Sequence, residues 1–214
     1  MKPELKSNSR DDTTMITTKG ATPLVAEELT DVLAELVKCA VTKPESVKVV
    51  SSVHGPLIAL LIKTEQHDVK RVLGTKGKHF RALEVIMRTL AAQVNCEIHL
   101  KIEDKGPPPP VTPPPFRALP APEVAARLWH RVPALLARII GMYVHSEPSL
   151  DVSEFEGTTI IQIKVSQQER HLIWGPEADF DYGRDGIIIG SIKNIFDGIG
   201  KNHGKQIRIV VADA

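Results

Sequence analysis

Charge excess of either sign is missing. Lys and Arg number 27 against 26 Asp and Glu, a formal net charge of +1. No whole-chain field therefore selects a partner, and any basic site has to be local. Aromatic residues are scarce, at 4%. Cysteine is scarcer still. Cys39 and Cys96 show no metal spacing, and both read as buried thiols in a reducing compartment. The eight histidines are scattered and form no HExxH pair. No apolar run approaches the ~20 residues of a membrane span. The opening "MKPELKSNSRDD" lacks the apolar core of a signal peptide. A soluble protein of the cytoplasm, without membrane contact, is expected.

Catalytic signatures are missing too. "GIGKNHGKQ" (198–206) is not a phosphate-binding GxxxxGK[ST] loop, because Lys205 precedes Gln206 and a strand follows. No Ser-His-Asp order or carboxylate pair stands in a defensible loop setting. Asp179 and Asp181 of "DFD" could hold a divalent cation, but two acids in a long loop read as solvated side chains. The expectation is a non-enzyme with no cofactor and no metal.

Proline, by contrast, is abundant in one place. "DKGPPPPVTPPPFRALPAP" (104–122) holds nine prolines in nineteen residues. Proline fixes its own φ and has no amide proton, so neither a helix nor a central strand fits there. The stretch reads as a stiff linker, with docking of an SH3-like partner as the alternative. Residues 1–21 are polar and aperiodic and read as a disordered arm. The chain thus divides into an arm (1–21), a first unit (22–103), a linker (104–122) and a second unit (123–214).

In the first unit Thr22 can cap a helix that Pro23 opens, with Val25, Leu29, Val32, Leu33, Leu36, Val37 and Ala40 on its apolar face. Two strands follow at 47–55 and 57–63, then a short helix ending at Gly74. A long helix runs from Gly77 with Phe80, Leu83, Ile86, Met87, Leu90, Ala91 and Val94 on one face, and a strand occupies 97–102. The second unit repeats this α-β-β-α-α-β order. Its elements are a helix at 132–144, strands in "SLDVSEFEG" and "TTIIQIKV", a short helix in "SQQERHLIW", a helix over 186–201 and a last strand "KQIRIVV". "EVAARLWHR" reads as a separate turn, since Pro133 breaks a continuous helix.

Aligning the last strands gives an offset of 109 residues, which places Gly74 on Gly183 and Gly77 on Gly186. "GTKG" then falls on "GRDG", and the second connection is eight residues longer just before its loop. Repetition at this period is a signal of internal duplication.

A Gly-x-x-Gly turn at a helix start allows close backbone approach and presents free amides at the positive end of the helix dipole, an arrangement suited to phosphate. Between Lys63 and Arg88 stand seven Lys or Arg and three acids. "RVLGTKGKHFRALEVIM", set between the second and third helices of this order, resembles a type II KH domain, and most of all the small bacterial stand-alone KH RNA-binding proteins. The resemblance covers residues 23–103. It implies a three-stranded sheet with three helices on one face, and a loop that clamps about four single-stranded nucleotides. The implied clamp is Gly74, Thr75, Lys76 and Gly77, flanked by Lys78, Lys70, Arg71 and Arg81. Ile62, Val72, Leu73, Ile98 and Leu100 would line an apolar groove for bases.

The second unit resembles the family more distantly, over residues 133–213. Its loop would be Gly183, Arg184, Asp185 and Gly186, with an aspartate where the first loop has lysine. Between Lys164 and Asp197 six acids outnumber four bases. At ~4 Å each like-charge contact with phosphate costs on the order of a few kcal/mol. Gly190, Gly198 and Gly200 weaken its long helix by roughly 1 kcal/mol each. The fold class expected is α+β, two type II KH-like αββααβ domains joined by the proline-rich linker. The expected partner is single-stranded RNA, with single-stranded DNA as the close alternative. A protein partner through the second domain or the linker is the other candidate. The rival reading is a non-catalytic adapter whose KH folds are relics.

Overall fold

The computed structural model describes residues 22–103, 129–175 and 186–213. The expected arm, the proline-rich linker, the turn before Trp129, and Gly183, Arg184 and Asp185 lie outside the described residues, as do Asp179 and Asp181.

The chain is α+β, with two three-stranded sheets. Helix α1 spans Pro23–Ala40. Thr22 Oγ1 accepts the Val25 amide at 3.3 Å, which satisfies one of the free N–H groups of the first turn. Ala26, Leu29, Val32, Leu33, Leu36 and Val37 recur at helical spacing, and all are buried. Strand β1 (Lys48–His54) pairs antiparallel with β2 (Leu57–Lys63), and β2 pairs in parallel with β3 (Glu97–Ile102). A parallel pair needs a crossover. Helices α2 (Gln66–Leu73) and α3 (Lys78–Ala92) supply it, so the glycine turn lies at the midpoint of that crossover. Ile58, Leu60 and Ile62 alternate inward on β2, as Ile98 and Leu100 do on β3.

The second half follows the same plan: α4 (Val132–Gly141), β4 (Ser149–Phe155), β5 (Thr158–Val165), α5 (Arg170–Trp174), α6 (Ile187–Asn202) and β6 (Gln206–Asp213). β4 is antiparallel to β5, and β5 is parallel to β6. Helix α4 stops three residues short of the expected Val144. Tyr143 leaves the helix and buries its ring, and its hydroxyl donates to the Ile86 carbonyl at 3.1 Å and lies 2.7 Å from Thr89 Oγ1.

That contact belongs to an interface between the halves. α3 packs on α6, and one apolar core runs through both units. Asn202 Nδ2 donates to the Ala40 carbonyl at 2.7 Å, His203 Nε2 lies 3.0 Å from the Cys39 carbonyl, and Arg138 pairs with Glu35 at 3.6 Å. The glycines of α6 serve this packing. A β-carbon at Gly198 would overlap the His79 imidazole, and one at Gly200 would lie 2.9 Å from the Lys205 carbonyl oxygen. Close approach outweighs the poor helix propensity of glycine here.

Candidate nucleic-acid interface

The turn between α2 and α3 is built from three residues with positive φ, Gly74, Lys76 and Gly77. Gly74 ends α2 at φ +69°, and its amide closes on the Lys70 carbonyl at 3.0 Å. Thr75–Gly77 form one tight turn, with the Gly77 amide bonded to the Gly74 carbonyl at 3.2 Å. Lys76 stands at its apex at φ +56°, ψ +27°, and Gly77 follows at φ +75°. A lysine in the left-handed region costs on the order of 1–3 kcal/mol, and strain of this kind concentrates at functional sites. Arg81 Nη2 donates to the Lys76 carbonyl at 3.0 Å and fixes the apex from below.

Helix α3 therefore begins in solvent with no side-chain cap and no acid in its first turn. The Lys78 amide donates to the Thr75 carbonyl, and the positive end of the helix dipole lies at the turn. Thr75, Lys76, Lys78, Lys70 and Arg81 are exposed around it. Lys70, Lys76 and Lys78 make no ion pair among the described residues.

Arg71 is placed differently from the expectation. It is mostly buried and turned toward Asp68, Nε to Oδ1 3.5 Å. The groove expectation needs a larger correction. Ile62, Val72, Ile98 and Leu100 are all core residues, because they occupy the inward positions of their strands and helix; Leu73 alone keeps 36% exposure.

Asp68, one of the three acids between Lys63 and Arg88, is fully buried. It accepts the amides of Thr42 (3.0 Å) and Lys43 (3.2 Å) and the Thr42 hydroxyl (2.7 Å). It ties the start of α2 to the end of α1 and presents no charge at the turn. Glu169 has the same role in the second half. It accepts the amides of His145 (2.6 Å) and Ser146 (3.0 Å) and the hydroxyls of Ser146 and Ser166. The Ser146 and Ser166 hydroxyls, then the two amides, hold its carboxyl down at about 2. A carboxylate at the start of a short helix, Asp68 in the first turn of α2 and Glu169 just ahead of α5, was the signal for this pair.

The second turn differs from its expected alignment. Gly175 ends α5 at φ +68°, ψ −172°, against +69°, −179° for Gly74, and its amide likewise closes on a carbonyl four residues back, that of His171. Ile188 packs on Gly175 as His79 packs on Gly74. Gly175, not Gly183, is thus the counterpart of Gly74, and Gly186 precedes α6 as Gly77 precedes α3. The eight extra residues fall inside the glycine turn rather than ahead of it. Gly186 is extended (φ −61°) and so close to the Trp174 carbonyl that a β-carbon would overlap it. The two ends of the segment 176–185 therefore meet. Arg170 lies over the Trp174 ring at 4.8 Å.

Elsewhere, a cleft of about 450 Å³ between α1 and α4 is lined by Glu35, Lys38, Cys39, Arg131 and Arg138, and shares no residue with the turn. Cys39 and Cys96 are free and buried, and burial pushes the Cys39 thiol up to about 11. Among the described residues no His/Cys/Asp/Glu cluster has the makings of a metal site, and no helix is long and apolar enough to cross a membrane. No protein-family model matches the chain, and no curated protein matches it in sequence.

Proposed function

We infer that the chain binds single-stranded nucleic acid, RNA before DNA, through the Gly74–Gly77 turn of its first half. The two αββααβ halves are read as type II KH-like units joined by the proline-rich linker, acting in the cytoplasm without catalysis. The observation that carries this reading is the turn itself. An exposed left-handed Lys76 sits between two glycines at an uncapped helix start, ringed by Lys70, Lys78 and Arg81. Glycine at both ends lets phosphate oxygens approach the backbone of the turn closely, while the lysines neutralise charge. Asp68 does not oppose them, since its carboxylate is buried.

Titration of the purified chain with a pool of short RNAs and DNAs, single-stranded and duplex, at two salt concentrations tests the reading. With about three phosphates neutralised, the slope of log affinity against log salt is near −2 for single strands. Lys76→Asp removes one attraction and adds one repulsion, a loss of roughly 2–4 kcal/mol after screening. Duplex preference, or affinity indifferent to both salt and Lys76→Asp, leaves the adapter reading standing. One feature favours that second reading: edge strand β4 of the second half leaves Phe155 65% exposed.

A further inference from the structure

We propose that the second half braces the glycine turn of the first, and that His79 is the positioning residue through which it does so. The proposal rests on the turn being the binding site, and it explains why a half whose own turn is interrupted stays attached to one that is intact.

His79 is the second residue of α3 and is half-buried. Its ring occupies the only space a β-carbon on Gly74 could use, with Cγ 2.5 Å from that position. The far edge of the same ring, Cε1 and Nε2, fills the place of a β-carbon on Gly198 in α6. One imidazole is therefore held between the backbone of the turn and the backbone of the opposite half. Its Nδ1 lies 3.2 Å from the Arg71 carbonyl, which ties it to the last turn of α2. α6 grips the first half a second time through Asn202 and His203, on the carbonyls that end α1. Those carbonyls lie just ahead of Thr42 and Lys43, which Asp68 joins to the start of α2. Both ends of α2, the helix that carries Lys70 into the turn, are thus anchored through contacts that lead to α6.

The second half holds the contrast. Ile188 stands on Gly175 where His79 stands on Gly74, but an aliphatic side chain makes no hydrogen bond to the preceding helix. The imidazole belongs to the half whose turn is basic and intact.

The test uses the full chain with Gly198→Ala, far in sequence from the turn, and His79→Ala, which only removes atoms. Amide exchange over residues 71–78 is read without nucleic acid, and RNA affinity is read separately. Both variants should exchange faster there, by about tenfold. Affinity should fall on the order of fivefold or more, with the salt slope unchanged because the lysines remain. The double variant His79→Ala/Gly198→Ala separates positioning from packing. Without the ring the new methyl has room, so thermal stability recovers toward that of His79→Ala while affinity stays low. Lys201→Ala, exposed on the same helix, is the control. Unchanged exchange at the turn in both single variants overturns the brace. Faster exchange in a chain that binds no RNA upholds the brace and rejects the binding reading. Recovery of affinity together with stability in the double variant reduces His79 to packing and overturns the proposal.

Discussion

Lys76 carries two opposed demands. Its backbone is in a region that disfavours any β-carbon, while its ammonium is the charge nearest the apex of the turn. Lys76→Gly separates them. Relief of strain, less the extra freedom of glycine in the unfolded chain, should raise Tm by about 1–3 °C, while affinity for single strands falls. A variant less stable than wild type in a thermal melt would show that the lysine is not strained. His203 makes a prediction of a different kind. Nε2 faces the Cys39 carbonyl, while Nδ1 is buried without a partner among the described residues. Burial holds its pKa below the ordinary value, the Cys39 bond opposes this, and the Arg71 charge adds to it. The unfolded imidazole therefore takes up a proton first as pH falls. Stability from this group is complete above ~6.5 and declines as pH drops from there through the lowered folded value. Tm measured between pH 7.5 and 5 should fall more steeply for wild type than for His203→Gln. Charge was legible in the sequence only as a count. Asp68 was one of three acids in that count, and only the packing of α2 on the end of α1 shows that backbone amides occupy its carboxylate.

At the scale of elements, periodicity was enough to locate α1, α3 and the strands β2, β3 and β5, because each buries one regular face. The turns were harder. A gapless count back from β6 cannot tell an insertion before a loop from one within it, and "GRDG" offered a tempting match. Conformation decides it: Gly175 shares its dihedral angles with Gly74 and meets Ile188 as Gly74 meets His79. The apolar groove was misread for a related reason, since residues that alternate along a strand can face a ligand or a core and sequence does not say which. The corrected register gives a direct experiment. Deleting residues 176–183 leaves Gly175-Arg184-Asp185-Gly186, a turn of the same length as the first, between ends that already touch. The shortened chain should melt within a few degrees of wild type, since Gly186 already stands against the Trp174 carbonyl and a short turn can join the two ends. A loss of cooperative unfolding would show that the longer connection is needed for α5 to dock on α6.

The whole molecule is governed by the α3–α6 contact. Ile188, Ile189, Gly190, Ser191, Ile192, Ile195, Phe196, Gly198, Ile199 and Gly200 are all buried, so α6 is covered on nearly every side. A helix apolar all round is a buried helix. That pattern in "GIIIGSIKNIFDGIGK" was the available sign that the second half leans on something beyond its own sheet. The amphipathic face of α3 gave no such sign, because one broad stripe serves both its sheet and its partner helix. If a protease site is introduced between residues 104 and 128 and cleaved, the two parts should elute together as one particle. Residues 22–103 made alone should be less stable than the intact chain, having lost the Tyr143 hydroxyl at Ile86 and Thr89 and the cover over His79. Independent elution of the cleaved parts would mean that the shared core contributes little.

Both faces of that contact belong to one polypeptide, so its formation is unimolecular and mass action has no hold on it. The melting temperature of the intact chain should be the same at nanomolar and at millimolar concentration, whereas two identical αββααβ subunits joined through the same helices would come apart on dilution. Cleavage between the halves should restore that dependence on concentration, and the dilution at which the melt begins to shift measures the effective concentration the connection provides.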